Sequence, residues 1–278
     1  MFRSRFLSLP KTGAVVLIAG AAVLTALSRP MTAPLPDTTD MADMTWVEIR
    51  EAIARGHDTV LVPSGGIEQN GPHMTMGKHQ HIVARAARMI AKERGLTLIA
   101  PVIAYVPQGD YEPATGNMRF PGTIGVPEAA FAATLEGAAR SLKSAGFKRI
   151  VFMADHGGSQ KPQAEVAGRL SAEWAASGPR VIALGDYYAK GDEAQRALLM
   201  SRGETASSIG DHAGLQDTSE LLHAHPDSVK PGRISSFIAR LVADGSSGSP
   251  ERATPELGLQ LLRLKVKAAL TQLNAPGT

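Results

Sequence analysis

Short apolar segments alternate with longer amphipathic ones along this chain, and this alternation restricts the fold more than any other feature of the sequence. The apolar segments have the length and composition of strands, and the segments between them carry apolar residues at helical spacing. Such alternation is typical of a mostly parallel sheet with helices on both faces. We therefore predict a three-layer α/β/α fold with strands at residues 58–63, 96–106, 148–154 and 181–185.

Helices are predicted at residues 45–55, 82–93, 127–144, 161–176, 193–202, 218–224 and 255–273. Several of them carry their own start or stop signals. Thr45 and Glu48 have the spacing of a capping box, and Gly95 and Gly146 are suited to end helices. A chain of 278 residues is long enough for one large domain, and the sequence has neither an internal repeat nor a second boundary.

The first 28 residues are predicted to be a secretory signal peptide. Arg3, Arg5 and Lys11 precede an uncharged apolar run over residues 13–27, and a polar, Pro-rich stretch follows. The run is shorter than the roughly 20 apolar residues that a membrane span requires. An uncleaved membrane anchor is the main alternative, and a buried N-terminal core helix is a weaker one. We expect residues 29–44 to be a flexible linker, residues 45–278 to be a single domain, and the protein to be periplasmic or secreted.

The charge balance argues against a nucleic-acid partner. The formal net charge is +3 and the isoelectric point is about 9.2. Arg3, Arg5 and Lys11 account for this excess, since without them the 29 basic residues become 26, equal to the 26 acidic ones. No basic stripe with interleaved aromatic residues is present. The chain has no cysteine, so any metal must be held by His, carboxylate or amide groups.

Four potential metal ligands lie within twelve residues after the first predicted strand: Glu68, Asn70, His73 and His79. Ligands of α/β folds bind beyond the carboxyl ends of the strands, which is where this segment lies. The cluster therefore predicts a metal site. The alternative is a glycine-rich loop, beginning at Gly65, whose polar side chains are only solvated.

Two later segments are centred on histidines that are placed to meet this cluster. Asp155-His156-Gly157-Gly158 follows the third predicted strand, and glycines after a histidine leave its imidazole open to the ligand crevice. His212 is the second centre, with the chemistry of a general acid or base. The alternatives are a plain strand-to-helix turn and a plain helix cap made by Asp217 or Thr218. No role is assigned to the remaining histidines, which are His57, His81, His223 and His225.

Four ordered motifs of this chain resemble those of the creatininase (creatinine amidohydrolase) family. The resemblance covers roughly residues 45–240. It implies a three-layer α/β fold, an oligomer that is often a hexamer, and hydrolysis of C–N bonds in cyclic or linear amides with divalent metals. The motifs are Gly66-Ile67-Glu68-Gln69-Asn70-Gly71-Pro72-His73, Phe120-Pro121-Gly122-Thr123-Ile124, Asp155-His156-Gly157-Gly158, and His212-Ala213-Gly214 followed by Asp217-Thr218-Ser219.

The resemblance implies roles for individual residues, position by position. Glu68 and His156 match metal ligands of the family. His212 matches its proton-transfer histidine, and Asp217 replaces a glutamate near that histidine. Glu68, His156 and His212 therefore follow the family pattern, and Asp217 departs from it.

Three positions depart from the family pattern and remove much of a second metal site. His79 stands where the family has a metal-bridging aspartate, Asn70 where it has a histidine ligand, and Gly158 where creatininase itself has a glutamate ligand. One glutamate and two histidines are nevertheless a common zinc-binding set. We therefore expect one Zn or Mn ion per subunit, held by Glu68, His79 and His156.

The resulting hypothesis is a metal-dependent amidohydrolase. Metal-bound hydroxide would attack an amide, imide or lactam carbonyl, and His212 would pass the proton to the leaving nitrogen, with Asp217 or Asp211 orienting it. The loop at residues 107–122 would shape the choice of substrate, and it does not resemble the creatinine-binding segment, so creatinine is not expected. The alternatives are a catalytically degenerate metabolite-binding protein and a lactone or ester hydrolase. Expected partners are a small-molecule substrate and further copies of this chain in a homo-oligomer such as a hexamer, with membrane contact only through an uncleaved anchor.

Overall fold

A parallel sheet forms the centre of the molecule. The computed structural model describes residues 34–176, 178–234 and 245–276. Its strands are β1 (Thr59–Ser64), β2 (Thr97–Ile99), β3 (Arg149–Ala154) and β4 (Arg180–Ala183), in the order β2–β1–β3–β4. β1 pairs with β3 over its whole length, from Thr59 opposite Arg149 to Ser64 opposite Ala154. The two central strands therefore end together at one edge of the sheet.

Helices cover both faces of this sheet, as predicted for a three-layer α/β/α fold. The helices are α1 (Trp46–Ala54), α2 (Lys78–Arg94), α3 (Glu128–Ala145), α4 (Gln160–Glu173), α5 (Gly185–Ser201), α6 (Ala206–Ile209), α7 (Leu215–Ala224) and α8 (Pro255–Leu273). Leu61, Val151 and Met153 of the sheet share one core with residues of α2, α5, α7 and α8. Because successive strand residues point to opposite faces, Ile150 and Phe152 face the other side, where α3 and α4 contact β3.

The predicted start and stop signals operate as expected. At the start of α1 the Thr45 hydroxyl accepts a hydrogen bond from the Glu48 backbone N–H, and the Glu48 carboxylate accepts one from the Thr45 N–H at 2.7 Å. Gly146 follows α3 in a left-handed conformation with φ of 103°, which a glycine adopts without strain. These local interactions fix the helix boundaries before any tertiary contact is considered.

One predicted strand and three helix starts are wrong, including that of α7, which begins at Leu215 rather than at residue 218. The strand predicted at residues 96–106 ends at Ile99, because Pro101 has no N–H to continue the ladder, and only isolated bridges at Ile103 and Val106 follow. Helix α5 begins at Gly185, eight residues before the predicted start, since packing on the core outweighs its weak helix propensity. Helix α2 begins at Lys78 rather than at residue 82, so His79 lies in its first turn.

The segment before α1 contacts the rest of the molecule. The Arg88 guanidinium donates to the Asp40 carboxylate at 2.9 Å, and the Ile99 N–H donates to the Thr39 carbonyl at 2.8 Å. Contacts group Pro36–Thr278 into one compact unit. The predicted signal peptide at residues 1–28 lies outside the described residues. Within the described ranges, no helix is both long enough and apolar enough to cross a membrane.

Helix α8 packs closely against its neighbours at two glycines. A Cβ added to Gly258 would lie 1.8 Å from the Ser219 carbonyl oxygen of α7. A Cβ on Gly191 of α5 would lie 2.7 Å from the Cγ of Lys265 on α8. Because both positions lack a side chain, α8 can approach α5 and α7 and bring Lys265 into the interior, where it is only 5% exposed.

Candidate metal centre

Glu68 and His156 meet at the carboxyl edge of the two central strands. Glu68 lies four residues after β1 and His156 two residues after β3. Since β1 and β3 are neighbours in register, the loops that follow them leave the sheet side by side. The Nε2 of His156 lies 3.0 Å from the Oε2 of Glu68. Two residues 88 positions apart in the chain are thus brought into contact by the sheet.

Gly158 is required by the position of His156. A Cβ at residue 158 would lie 2.8 Å from the His156 Cε1 and 2.9 Å from the Pro107 carbonyl oxygen. Real Cβ atoms do not approach other atoms so closely, so a side chain here would displace the imidazole or the loop. A glutamate at this position therefore does not fit beside His156 as it is placed here.

The Glu68 carboxylate is the centre of the cluster. It is 1% exposed, and its Oε1 lies 2.8 Å from the Nε2 of His79. Its Oε2 contacts His156 and also accepts a hydrogen bond from the Asn117 Nδ2 at 2.8 Å. Glu68 therefore contacts both of the other predicted metal ligands, His79 and His156. Burial would raise the pKa of Glu68, but the charge of His79 and the hydrogen bonds from the imidazoles hold that pKa far below its usual range.

His79 is held between two carboxylates. Its Nδ1 lies 2.9 Å from the Asp155 Oδ2 and its Nε2 faces Glu68. Burial and the charge of Lys78 oppose protonation of this ring, but the two carboxylates outweigh them and raise the pKa of His79. A carboxylate can only accept, so each ring nitrogen bears either a proton or, in its place, a bound cation.

His212 reaches the same cavity from the turn before α7. Its Nε2 lies 2.8 Å from the Gln69 carbonyl oxygen and 3.9 Å from the Glu68 Oε1. Since a carbonyl only accepts, Nε2 carries the proton and Nδ1 is left as the basic atom. Burial and the nearby Lys78 charge lower the pKa of His212, so the ring is neutral at neutral pH.

The expectation that Asp217 or Asp211 orients His212 is wrong. The Oδ2 of Asp217 accepts hydrogen bonds from the Lys78 Nζ at 2.7 Å and from the Ala213 N–H at 2.8 Å. Asp211 has a side chain that is 90% exposed and pairs with Arg196 at 3.0 Å. The stronger attraction of Asp217 is to the buried ammonium, and the Gln69 carbonyl orients His212 instead. Asp217 does not cap α7 either, because Gly214 is the residue at that cap.

Lys78 is a buried cation that the sequence did not indicate. Its residue is 1% exposed and lines the cavity beside Glu68, His79 and His212. Burial would raise the pKa of Asp217, but the Lys78 charge lowers it well below its usual range, so the pair is ionic. Its position in the first turn of α2, next to His79, is a signal only once the true helix start is known.

Asn70 and His73 have other roles than metal binding. The Asn70 amide donates to the Glu68 carbonyl at 2.9 Å and to the Thr75 carbonyl at 3.2 Å, which braces the loop. The His73 Nε2 lies 3.0 Å from the Thr218 hydroxyl on α7. The cavity is lined by Glu68 and His79 but by neither of these two residues. Two of the four potential ligands therefore lie outside the cavity, with Asn70 bonded within the loop and His73 bonded to α7.

The cavity at this edge has a volume of about 180 Å³ and is lined mainly by polar side chains. The cluster around Glu68 forms its floor. Charged or hydrogen-bonding groups from four later segments complete it, which is what recognition of a small polar molecule requires. These further groups are Asn117, Tyr188, Asp192, Asp211 and Gln216.

The donor set fits a divalent metal in kind. A carboxylate and two imidazoles are zinc and manganese ligands, and the Asp155 contact to Nδ1 is the usual support of a metal-bound histidine. In the part of the chain that the structure describes, no three His, Asp or Glu side chains are already spaced to hold a metal ion. The reason is that Glu68 contacts both imidazoles directly, so binding requires these groups to move apart. A cation would then replace protons that now lie between them.

The chain is similar to proteins of named activity. The family model "Creatininase: Creatinine amidohydrolase" matches residues 42–273. A mycofactocin precursor peptide peptidase of Mycolicibacterium smegmatis is 31% identical over 209 residues, 72% of either chain. A creatinine amidohydrolase of Pseudomonas putida is 26% identical over 244 residues, which cover 82% of this chain and 93% of that one.

Solved structures give the same result at the level of the fold. A crystal structure of creatinine amidohydrolase is similar with a TM-score of 0.71 and 25% identity, covering 87% of this chain and all of that one. A Mn form of creatininase is similar with a TM-score of 0.70 and 24% identity, covering 85% of this chain and 98% of that one. A Zn–Zn form of a creatininase mutant is similar with a TM-score of 0.69 and 24% identity, covering 86% of this chain and 98% of that one.

A carboxylate and two imidazoles meet at the carboxyl edge of a parallel sheet, and the fold is similar to that of a solved creatinine amidohydrolase. The match of the family model over most of the chain then identifies the group. The protein belongs to the creatininase family, whose members are metal-dependent amidohydrolases. The resemblance that the four sequence motifs indicated is confirmed.

Proposed function

We propose that this protein hydrolyses a C–N bond of a small molecule, such as an amide, lactam or imide, with one divalent metal per subunit. The main support is the contact of Glu68 with both His79 and His156 at the floor of one cavity. His212 lines the same cavity and provides a basic nitrogen. The fold and the relatives support the reaction class, and the residues of this chain support its details.

Glu68, His79 and His156 are the proposed metal ligands, and Zn or Mn is the proposed metal. Creatininase structures with Mn and with Zn support this choice. When bound, such a metal lowers the pKa of water to about 7 and polarises a carbonyl. Two features support a single ion: the Asn70 amide is engaged by backbone carbonyls, and the Lys78 ammonium repels a second cation.

His212 is the proposed proton carrier, and Nδ1 is its active atom. Water adds to the carbonyl carbon, the C–N bond breaks, and a proton that Nδ1 took from the water is delivered to the departing nitrogen. The products are a carboxylate and an amine. Asp217 contributes by anchoring Lys78 and the His212 turn rather than by touching His212. Lowering of the His212 pKa by burial keeps Nδ1 free to accept a proton at neutral pH.

The substrate is proposed to be small and polar. A cavity of about 180 Å³ admits one reacting amide with short substituents. The loop at residues 107–122 reaches it through Asn117, which contacts Glu68, so this loop is placed to select the substrate. The named relatives act on creatinine and on a precursor peptide, which are both C–N substrates. Ester or lactone cleavage would use the same groups and belongs in the same screen.

A metabolite-binding protein without turnover is the second candidate. The direct contact of Glu68 with both imidazoles favours it, because these side chains satisfy one another without a metal. This candidate predicts tight binding of a small polar molecule and no product with added Zn or Mn. A binding protein does not explain the position of His212 in the cavity, since binding alone requires no proton carrier.

Metal quantification on protein purified without chelator tests the proposal. We expect about one equivalent of Zn or Mn in the wild type and loss of it in His156→Ala. His57→Ala is the matched control, because His57 contacts the Ala52 carbonyl away from the cluster and should retain the metal. The metal-loaded protein is then assayed on amides, lactams, imides, lactones and short peptides. Absence of metal in the wild type together with no hydrolysis would leave only the binding protein.

Export and self-association complete the proposal. The basic, then apolar N-terminal sequence supports export with cleavage near residue 28, and family membership supports a homo-oligomer such as a hexamer. N-terminal sequencing of protein from the periplasmic fraction and light scattering of the purified protein measure the two properties. A full-length chain retained in the membrane would support the uncleaved anchor instead.

A further inference from the structure

A buried ionic cluster lies directly behind the proposed metal ligands. Its members are Asp155, which directly follows β3, and Tyr187, Glu220 and Lys265, which lie on α5, α7 and α8. Each of the four is at most 5% exposed. The Lys265 Nζ donates to the Asp155 Oδ1 at 2.8 Å and to the Glu220 Oε2 at 3.1 Å. The Tyr187 hydroxyl donates to the same Asp155 Oδ1 at 2.8 Å.

This cluster is not explained by stability alone. Taking charged groups out of water costs several kcal/mol per ion, and well-packed apolar residues of similar volume are often as stable as a buried ion pair. The Lys265 stem is also fixed in place by the close approach of α8 to Gly191. A buried and immobilised ion pair next to a reactive site suggests that its position serves that site.

The two oxygens of Asp155 face different partners. Oδ1 accepts hydrogen bonds from Lys265 and Tyr187, and Oδ2 accepts one from the Nδ1 of His79. Two donors on Oδ1 prevent the carboxylate from rotating, so Oδ2 stays directed at His79. A proton on Nδ1 then leaves Nε2 as the only ring atom available to a metal, and Nε2 is the atom that faces Glu68.

We propose that Lys265 is a positioning residue of the metal centre, which acts through Asp155 to hold His79 with Nδ1 protonated and Nε2 presented for metal binding. The proposal rests on the proposed metal-dependent function. It assigns the same indirect role, to a lesser degree, to Tyr187. Glu220 is assigned the task of compensating the Lys265 charge and not of contacting His79.

Metal affinity of Lys265→Met, measured by competition with a chromogenic chelator, is the first test. Met retains the length of the side chain and removes its charge. We expect Zn and Mn to bind 10- to 100-fold more weakly, the loss that is typical when the outer partner of a metal-bound histidine is removed. Lys267→Met is the matched control, since Lys267 is exposed on the same helix and should keep the wild-type affinity.

A second pair of variants tests the proposal even if Lys265→Met fails to fold. Glu220→Gln eliminates the other buried carboxylate on Lys265 but leaves the Asp155 contact, so we expect affinity within about twofold of the wild type. Lys265→Met/Glu220→Gln then removes the lysine from a background that has lost an acidic group, and should reproduce the weak binding. Wild-type affinity in either lysine variant, with an intact thermal transition, overturns the proposal.

A readout without metal separates this proposal from the proposed function. Long-range 1H–15N NMR of the metal-free protein reports which nitrogens of His79 carry protons. We expect a protonated Nδ1 in the wild type and in Glu220→Gln, and loss of this state in the double variant. If the wild type binds no metal, the proposed function fails, and an unchanged His79 signal in the double variant independently rejects the role of Lys265.

Discussion

At the scale of single residues, each charged side chain of the candidate metal centre contacts more than one partner. The Glu68 carboxylate contacts two imidazoles and the Asn117 amide, and the His79 ring contacts two carboxylates. Each side chain is therefore fixed by at least two others, and loss of one affects the rest. This arrangement also surrounds the cavity with histidines in different protonation states.

His73 should make the stability of the protein dependent on pH. Burial lowers the pKa of His73 to about 4, below its ordinary value of 6.5 in the unfolded chain. The unfolded chain therefore takes up the proton before the folded protein does as the pH falls. Neutral His73 contributes fully to the free energy of unfolding above pH 6.5, and this contribution is lost between pH 6.5 and 4. The free energy of unfolding falls by roughly 2–3 kcal/mol over that range.

Urea unfolding of the wild type and of His73→Gln at pH 7.5 and pH 5 measures this effect. Gln has no proton to gain in this range and can still bond to Thr218. The wild type should lose more stability than His73→Gln on going to pH 5. Equal losses in the two proteins would assign the pH dependence to other groups.

The Lys78–Asp217 pair should show a large energetic coupling. Removing one partner of a buried pair leaves the other charge unpaired, which is more costly than removing both. In a double-mutant cycle with Lys78→Met and Asp217→Asn, we expect a coupling of about 1–3 kcal/mol in the free energy of unfolding. The exposed pair of Lys190 and Glu193 is the control and should give below about 0.5 kcal/mol. Similar couplings for the two pairs would contradict the buried position of Lys78.

At the scale of elements, the contact between α7 and α8 depends on Gly258. A Cβ there would lie 1.8 Å from the Ser219 carbonyl oxygen, a backbone atom that cannot move without displacing α7. Gly258→Ala should therefore lower the free energy of unfolding by at least about 2 kcal/mol. Gly137→Ala in α3, whose Cβ would meet nothing within 4 Å, should instead stabilise by roughly 0.5–1 kcal/mol. Chemical unfolding of the two variants makes the comparison, and a neutral Gly258→Ala would mean that the helices do not cross so closely.

Local signals explain which elements the sequence predicts well. Helix α1 has a capping box at Thr45, and β1 and β3 are continuous apolar runs, so their existence follows from neighbours in the chain. The start of α5 at Gly185 does not follow from its neighbours in the chain, because residues that are poor helix formers are held there by packing on the core. The strand predicted beyond Ile99 does not form, because Pro101 interrupts the ladder although the apolar residues after it suit a strand.

At the scale of the whole molecule, metal binding should raise the thermal stability. A ligand present at 100 times its Kd adds about 2.7 kcal/mol, which for a protein of this size is a rise in Tm of roughly 5–10 °C. Differential scanning calorimetry with and without Zn or Mn measures the rise, and chelator should reverse it. His156→Ala should show no shift, and an equal shift in that variant would indicate binding elsewhere.

The composition of the site was only partly predictable. Glu68, His79, His156 and His212 stand in compact motifs, so their residue types and spacing indicate a function. The residue types and spacing of Lys78 and Lys265 indicate no function, because a lysine on a helix is usually solvated and only tertiary packing buries it. For Lys265 the one available signal is its place in the apolar stripe of α8, four residues from both Leu261 and Ala269.

The contribution of α8 to the centre has a consequence for the order of events during biosynthesis. Lys265 lies 110 residues after Asp155, so a nascent chain that has emerged only through α7 contains the three proposed ligands but not the lysine that holds Asp155. On the proposed role of Lys265, Asp155 is not held before α8 arrives, and His79 can then expose either ring nitrogen. On the proposed role of Lys265, tight metal capture is postponed until that helix has docked, which protects the unfinished chain from trapping a metal in a wrong arrangement.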